Sequence, residues 1–171
     1  MTDVLRPFLD RWRLCAVLIA ATMLATAHAF QTFGGYAPCT LCLRQREVYW
    51  LILGGALGFM VLVRTPGGPR WREATCWVLA LLFGASVALA TYHAGAEWKF
   101  WPGPTACASS GGSVSAADMA AFLGGEKFRP PACDHAPWVF AGLSMAGWNA
   151  LASIVFAILS VAAALRERAK R

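Results

Sequence analysis

The chain has 171 residues, 58% of them hydrophobic and only 14% charged, with a formal net charge of +6 and a mean hydropathy of +0.52. A soluble domain of this length buries only about 70% of its surface and would leave much of that apolar content in water, while a disordered chain needs low hydrophobicity and high charge. Nucleic acid does not account for the positive charge either, because the basic residues sit between apolar runs and not on one face or tract. A single integral-membrane domain over residues 1–171 is expected.

A transmembrane helix needs roughly 20 predominantly apolar residues. The first such span runs from about residue 14 to 33. Ala27-His28-Ala29 resembles a signal-peptide cleavage site, but the apolar run is long enough to cross a bilayer, so a retained helix is expected. A short segment, 34–42, follows. It ends in Pro38-Cys39-Thr40-Leu41-Cys42, a C-x-x-C at a helix start, where a disulfide can form and the helix N-terminus favours a thiolate. Span two covers about 43–63. Arg46 lies four residues after Cys42, on the same helix face, where a guanidinium favours a thiolate or any anion formed beside it. Arg44 points elsewhere, and Glu47 can pair with either arginine.

Span three covers about 74–92 and places His93 at its end, as a hydrogen-bond partner for a polar cofactor head or as an interfacial residue. The long segment 93–142 carries Cys107 after Trp101-Pro102-Gly103-Pro104 and Cys133 after Pro130-Pro131. Ser115-Ala116-Ala117-Asp118 predicts the start of a short surface helix within it. Trp98, Trp101, Trp138 and Trp148 read as an aromatic belt. Span four covers about 143–165 and contains Met145. Small residues in the spans suit close helix packing in lipid. The expected fold is therefore all-α: a four-transmembrane-helix bundle with a long outer loop carrying a short helix.

Arg6, Arg11, Arg13, Arg64, Arg70, Arg72, Arg166, Arg168, Lys170 and Arg171 are ten of the fifteen basic residues, and all fall on one side. The positive-inside rule makes both termini cytoplasmic and turns segments 34–42 and 93–142 outward. Cys15 and Cys76 then lie on the reducing side and read as packing residues. Cys39, Cys42, Cys107 and Cys133 lie on the oxidising side, where disulfides persist. Two static disulfides in a structural or assembly protein are the competing reading. A four-cysteine zinc site is another, although the second close pair usual in such sites is missing and no resident metal is expected.

The motif Pro38-Cys39-Thr40-Leu41-Cys42-Leu43-Arg44-Gln45-Arg46 resembles the disulfide bond formation protein B (DsbB) family of bacterial inner membranes. So do Tyr92-His93, Trp101-Pro102-Gly103-Pro104 with Cys107, Cys133, and Trp138 to Met145. The resemblance runs through all four spans and both outer segments. It implies a thiol:quinone oxidoreductase that reoxidises a periplasmic DsbA-like thioredoxin-fold oxidase and passes electrons to a membrane quinone, ubiquinone or menaquinone. By the same resemblance Cys107 receives the partner's thiolate, Cys133 pairs with Cys107 at rest, and exchange between Cys133 and Cys39 joins the two pairs. Cys42 faces the quinone, supported by Arg46, with Met145 on the quinone side. The family histidine aligns with Ala94, and His93 is one residue earlier, about 100° around a helix.

Overall fold

The computed structural model describes residues 6–104 and 133–170. Among them are a short helix α1 (Arg6–Asp10) and four long helices: α2 (Trp12–Thr32), α3 (Thr40–Leu62), α4 (Arg72–Glu97) and α5 (Met145–Ala169). A 3-10 turn, Gly68–Trp71, leads into α4, and a two-residue antiparallel ladder, β1 (Val139–Phe140) with β2 (Leu143–Ser144), leads into α5. Ser144 caps α5 by accepting the Gly147 N–H at 3.1 Å. Cys107 and the expected helix near Ser115 lie outside the described residues.

α2, α4 and α5 are long and apolar enough to cross a membrane. The molecule is mostly helical, with the architecture of a helical membrane protein. α3 has the length, at 23 residues, but its first two turns carry Arg44, Gln45, Arg46 and Glu47, which dilute its hydropathy. α4 continues to Glu97, a turn past the expected end of its span, because His93, Gly95, Ala96 and Glu97 are buried against the bundle.

The helices pack through small residues. α4 against α5 is the most extensive pairing, followed by α2 against α3. Ala90 and Ser86 on α4, and Ala150, Ser153, Ser160 and Ala163 on α5, are buried and let the backbones approach closely. The core gathers Trp12, Ile52, Leu79 and Phe83, and the Trp12 indole donates to Ser160 Oγ at 2.9 Å. The outside is apolar too: Leu81 is 73% exposed and Ile158 62%. A water-soluble bundle buries such residues, whereas lipid solvates them.

The two ends of the bundle differ in character. One end is ionic: Asp10 on α1 accepts from Arg166 Nε at 2.8 Å and from Lys170 Nζ at 2.5 Å. Arg13 is buried there, donating to Arg72 O at 3.2 Å and Thr75 Oγ1 at 3.3 Å. The other end carries the cysteine motif. There α4 closes on a Schellman turn: Phe100 N–H donates to Gly95 O, Lys99 N–H donates to Ala96 O, and Lys99 takes the left-handed φ of 62°. Trp101 folds back to donate to Tyr92 O at 2.8 Å, with its ring on Gly95, where a Cβ would collide with the indole.

Candidate functional site

Pro38 precedes the helix, and Cys39 becomes the N-cap of α3, with extended backbone at ψ 173°. Its sulfur accepts the Cys42 N–H at 3.2 Å, the position a serine or aspartate oxygen takes in an ordinary cap. The two sulfurs are 2.9 Å apart, and both cysteines are free thiols. Both precede the apolar run that starts at Leu43. The hydrogen bond to Cys42 and burial push the Cys39 thiol up. The same hydrogen bond pulls Cys42 down, helped by the Arg46 charge. The proton therefore stays on Cys39, and thiolate character gathers on Cys42.

Cys133 is fully buried and disulfide-bonded to a residue outside those described. It packs with Cys39 and Leu41 in a small cluster apart from the main core, with Cys42 and Leu89 against it. Its Sγ is 3.3 Å from Thr40 Oγ1. A disulfide sulfur has no proton, so Thr40 is the donor. The next residue, Asp134, takes a 2.5 Å hydrogen bond from Lys99 Nζ, which ties this segment to the Schellman turn of α4. A bonded Cys133 is not a thiolate ligand, so the four-cysteine zinc set is not formed in this state.

Arg46 is half-buried and braces α3 against α2, donating to Gln31 Oε1 at 2.6 Å and to Ala27 O at 2.9 Å. Arg44 is exposed and pairs with Glu47 at 2.8 Å. Met145 is the first residue of α5 and is half-buried.

His93 faces inward. Its Nε2 lies 3.5 Å from Cys39 Sγ and 3.6 Å from Glu97 Oε1, and its Nδ1 lies 2.8 Å from Gln45 Nε2. From Gln45 a hydrogen-bonded chain descends into the bundle. Asn149 Nδ2 donates to Gln45 Oε1 at 2.6 Å, Tyr49 donates to Asn149 Oδ1 at 2.7 Å, and Tyr49 meets Ser153, which meets Ser86. Among the described residues, Cys39, Cys42 and His93 are a group whose donor atoms, all within 4.8 Å of one another, suit a metal ion.

Cys39, Cys42 and Cys133 are thus brought together, with His93 beside Cys39 and Arg46 one turn beyond Cys42. Gln45, Tyr49, Asn149, Glu97 and Thr40 were missed by sequence reasoning. Glu97 carried one signal: an acid four residues after His93 in a chain with only nine acidic residues. Gln45 carried another, three residues after Cys42 on the face opposite Leu43.

The family model described as "Disulfide bond formation protein DsbB" matches residues 10–163. Pseudomonas putida KT2440 has a protein named disulfide bond formation protein B 2 that is 31% identical over 163 residues, covering 90% of this chain and 89% of the relative. A protein of the same name from Pseudomonas aeruginosa PAO1 is 32% identical over 179 residues, covering 96% of each chain.

Proposed function

This chain belongs to the DsbB disulfide bond formation family, and from that premise we propose that it is a protein-dithiol:quinone oxidoreductase. It recharges a DsbA-like thioredoxin-fold oxidase in the periplasm and sends the electrons into the bacterial inner membrane. α3 then completes a four-span bundle, both termini are cytoplasmic, and the cysteine end faces the periplasm. The observation that carries this reading is Cys133: a disulfide-bonded sulfur packed against a second, reduced C-x-x-C pair.

The steps follow from thiol–disulfide exchange. The partner's thiolate attacks Cys107 of a Cys107–Cys133 disulfide, and Cys133 leaves as a thiolate. Thr40 is hydrogen-bonded to that sulfur and stabilises the charge as it forms. The Cys133 thiolate attacks Cys39 of an oxidised Cys39–Cys42 pair, and Cys42 leaves. The partner's second thiol displaces Cys107, and Cys107 displaces Cys39 from Cys133. The partner ends oxidised, the outer disulfide is restored, and two electrons and two protons rest on Cys39 and Cys42. Cys42 is the better leaving group, because its thiolate is the stabilised one.

The residues fit a quinone. Cys42 and Arg46 are both half-exposed on one face of α3, so a lipid-soluble acceptor reaches them from the bilayer without entering the bundle. Cys42, Arg46 and Met145 would hold it, and a bound quinone supplies a two-electron, two-proton acceptor. A DsbA-type oxidant, at about −120 mV, needs such a terminal acceptor, which thiols alone do not provide. The Arg46 charge adds to the Cys39 hydrogen bond in favouring the Cys42 thiolate, and Arg46 is itself fixed by Gln31 and Ala27.

The test is quinol formation by purified protein in detergent, with a reduced DsbA-like protein and a ubiquinone analogue followed by absorbance. Turnover that needs both the dithiol and this protein is expected. Folded protein that turns over neither ubiquinone nor menaquinone returns the chain to the static-disulfide reading.

A further inference from the structure

We propose that the reduced Cys39–Cys42 pair, with His93 and Glu97, forms a zinc(II) site, and that zinc acts there as a brake on disulfide transfer. Three of the four donors already face one another. The fourth is the unusual one. Glu97 is buried to 9% exposure, and its carboxylate takes a hydrogen bond from Ser144, yet Oε2 has no hydrogen-bond partner among the described residues. A buried carboxylate oxygen without a partner is costly, and the other oxygen of this carboxylate lies 3.6 Å from His93 Nε2.

Two of the donor distances already match a metal site. Zinc bonds of about 2.3 Å to sulfur and about 2.0–2.1 Å to nitrogen or oxygen, in a tetrahedron, separate S from N by roughly 3.5 Å and N from O by roughly 3.3 Å. The structure has Cys39 Sγ to His93 Nε2 at 3.5 Å and His93 Nε2 to Glu97 Oε1 at 3.6 Å. The two sulfurs must part, from 2.9 Å to roughly 3.8 Å, and the Glu97 carboxylate, which stands outside the group of donors within 4.8 Å of one another, must close on them. Cys42 is half-exposed on the first turn of α3, so its side chain has room to turn outward.

The chain behind His93 permits ligation. A zinc-bound Nε2 offers its lone pair, so Nδ1 must carry the proton and donate it. Inverting the Gln45 and Asn149 side-chain amides together, with Tyr49 donating to Ser153, turns Nδ1 into the donor and keeps every bond in the chain. The donor set of two thiolates, one imidazole and one carboxylate suits zinc over magnesium or calcium. Binding displaces one proton from each thiol and involves no electron transfer. A disulfide between Cys39 and Cys42 removes both thiolates, so only the reduced enzyme takes the ion. Binding rests on geometry alone, while the effect on turnover rests on the function proposed above.

The binding experiment uses full-length protein in detergent carrying Cys15→Ser, Cys76→Ser, Cys107→Ser and Cys133→Ser, which leaves Cys39 and Cys42 as the sole thiols. Dialysis of the reduced protein against zinc chloride should leave one zinc per chain, released when the pair is oxidised. Cobalt(II) in its place should give a thiolate charge-transfer band. Glu97→Gln and His93→Ala, each added singly, should weaken zinc by about tenfold or more. No retained zinc, or unchanged affinity in both variants, overturns the site. If the fourfold variant loses helix content, the reduced natural chain and its Glu97→Gln form are compared instead, with a difference of one zinc expected. In the turnover assay, Cys15→Ser/Cys76→Ser enzyme should be inhibited by zinc at the concentration that fills the site. Zinc bound without inhibition overturns the brake, whereas zinc bound to protein with no turnover at all upholds the site and overturns the proposed function.

Discussion

Thr40 Oγ1 stands 3.3 Å from Cys133 Sγ, so the residue that follows the helix-capping thiol also holds the sulfur of the outer disulfide. A hydroxyl that donates to a leaving thiolate lowers the barrier to opening that disulfide. Thr40→Val keeps the shape and deletes the donor. We expect reoxidation of the protein partner to slow about tenfold, the scale of one hydrogen bond to a charged group, with helix content unchanged. Single-turnover kinetics checks this, and an unaltered rate removes Thr40 from the mechanism.

Cys42→Ser should abolish quinone reduction, because it deletes the stabilised thiolate. Cys15→Ser and Cys76→Ser should turn over normally per folded molecule. Cys76 sits in the core at the ionic end, with Arg13 Nη1 at 3.4 Å, and Cys15 lies near the Phe8 carbonyl. Loss of turnover in either, with folding intact, contradicts the division of the cysteines by compartment.

Arg46→Ala should raise the KM for quinone about tenfold and leave the KM for the dithiol partner nearly unchanged. It should also shift Cys42 titration upward, since a nearby cation favours the thiolate. The pH dependence of Cys42 alkylation reads that shift directly. A quinone KM that does not move reduces Arg46 to a brace between α2 and α3.

Gln45→Leu should destabilise the bundle by about 1–3 kcal/mol, because it strands two buried groups, His93 Nδ1 and Asn149 Nδ2. Thermal unfolding in detergent measures this. Gln45→Glu restores an acceptor for Asn149 and should recover part of the loss. A Leu variant as stable as the parent means that water replaces the amide.

Lys99 holds the Asp134 carboxyl below its ordinary 3.8. A depressed folded value stabilises the folded state above the unfolded value and loses that contribution as pH falls through the folded one. The acid limb of stability, below about pH 4, should therefore flatten in Asp134→Asn. Both side chains are substantially exposed, so the loss at neutral pH should stay under about 1 kcal/mol. Melting curves across the acid range test the sign.

Hydropathy placed the long helices to within a few residues, because runs of Leu, Ile, Val and Ala near Leu18, Leu81 and Ile158 leave little else possible in lipid. It erred where a polar residue is buried by helix packing. His93 read as the end of span three, yet it lies inside the bundle and α4 runs on past it to Glu97. Arg13 read only as one of the charges that set the orientation, and its burial against α4 was not foreseen. The cysteine motif was legible from spacing alone. The Gln45–Asn149–Tyr49 chain was not, because it joins residues about a hundred positions apart, and no periodicity within one helix reports a partner on another.

Asp10 is bonded to Arg166 and Lys170, which ties the first helix to the last. The residues that complete this clasp lie at the end of α5, made after every other helix described. During synthesis α1 therefore lacks its ionic partners until α5 is in place, and this end of the chain waits unlatched while α2 to α4 are made. Removing only the last turn of α5 should leave the four long helices folded and still free the segment around α1 to proteolysis.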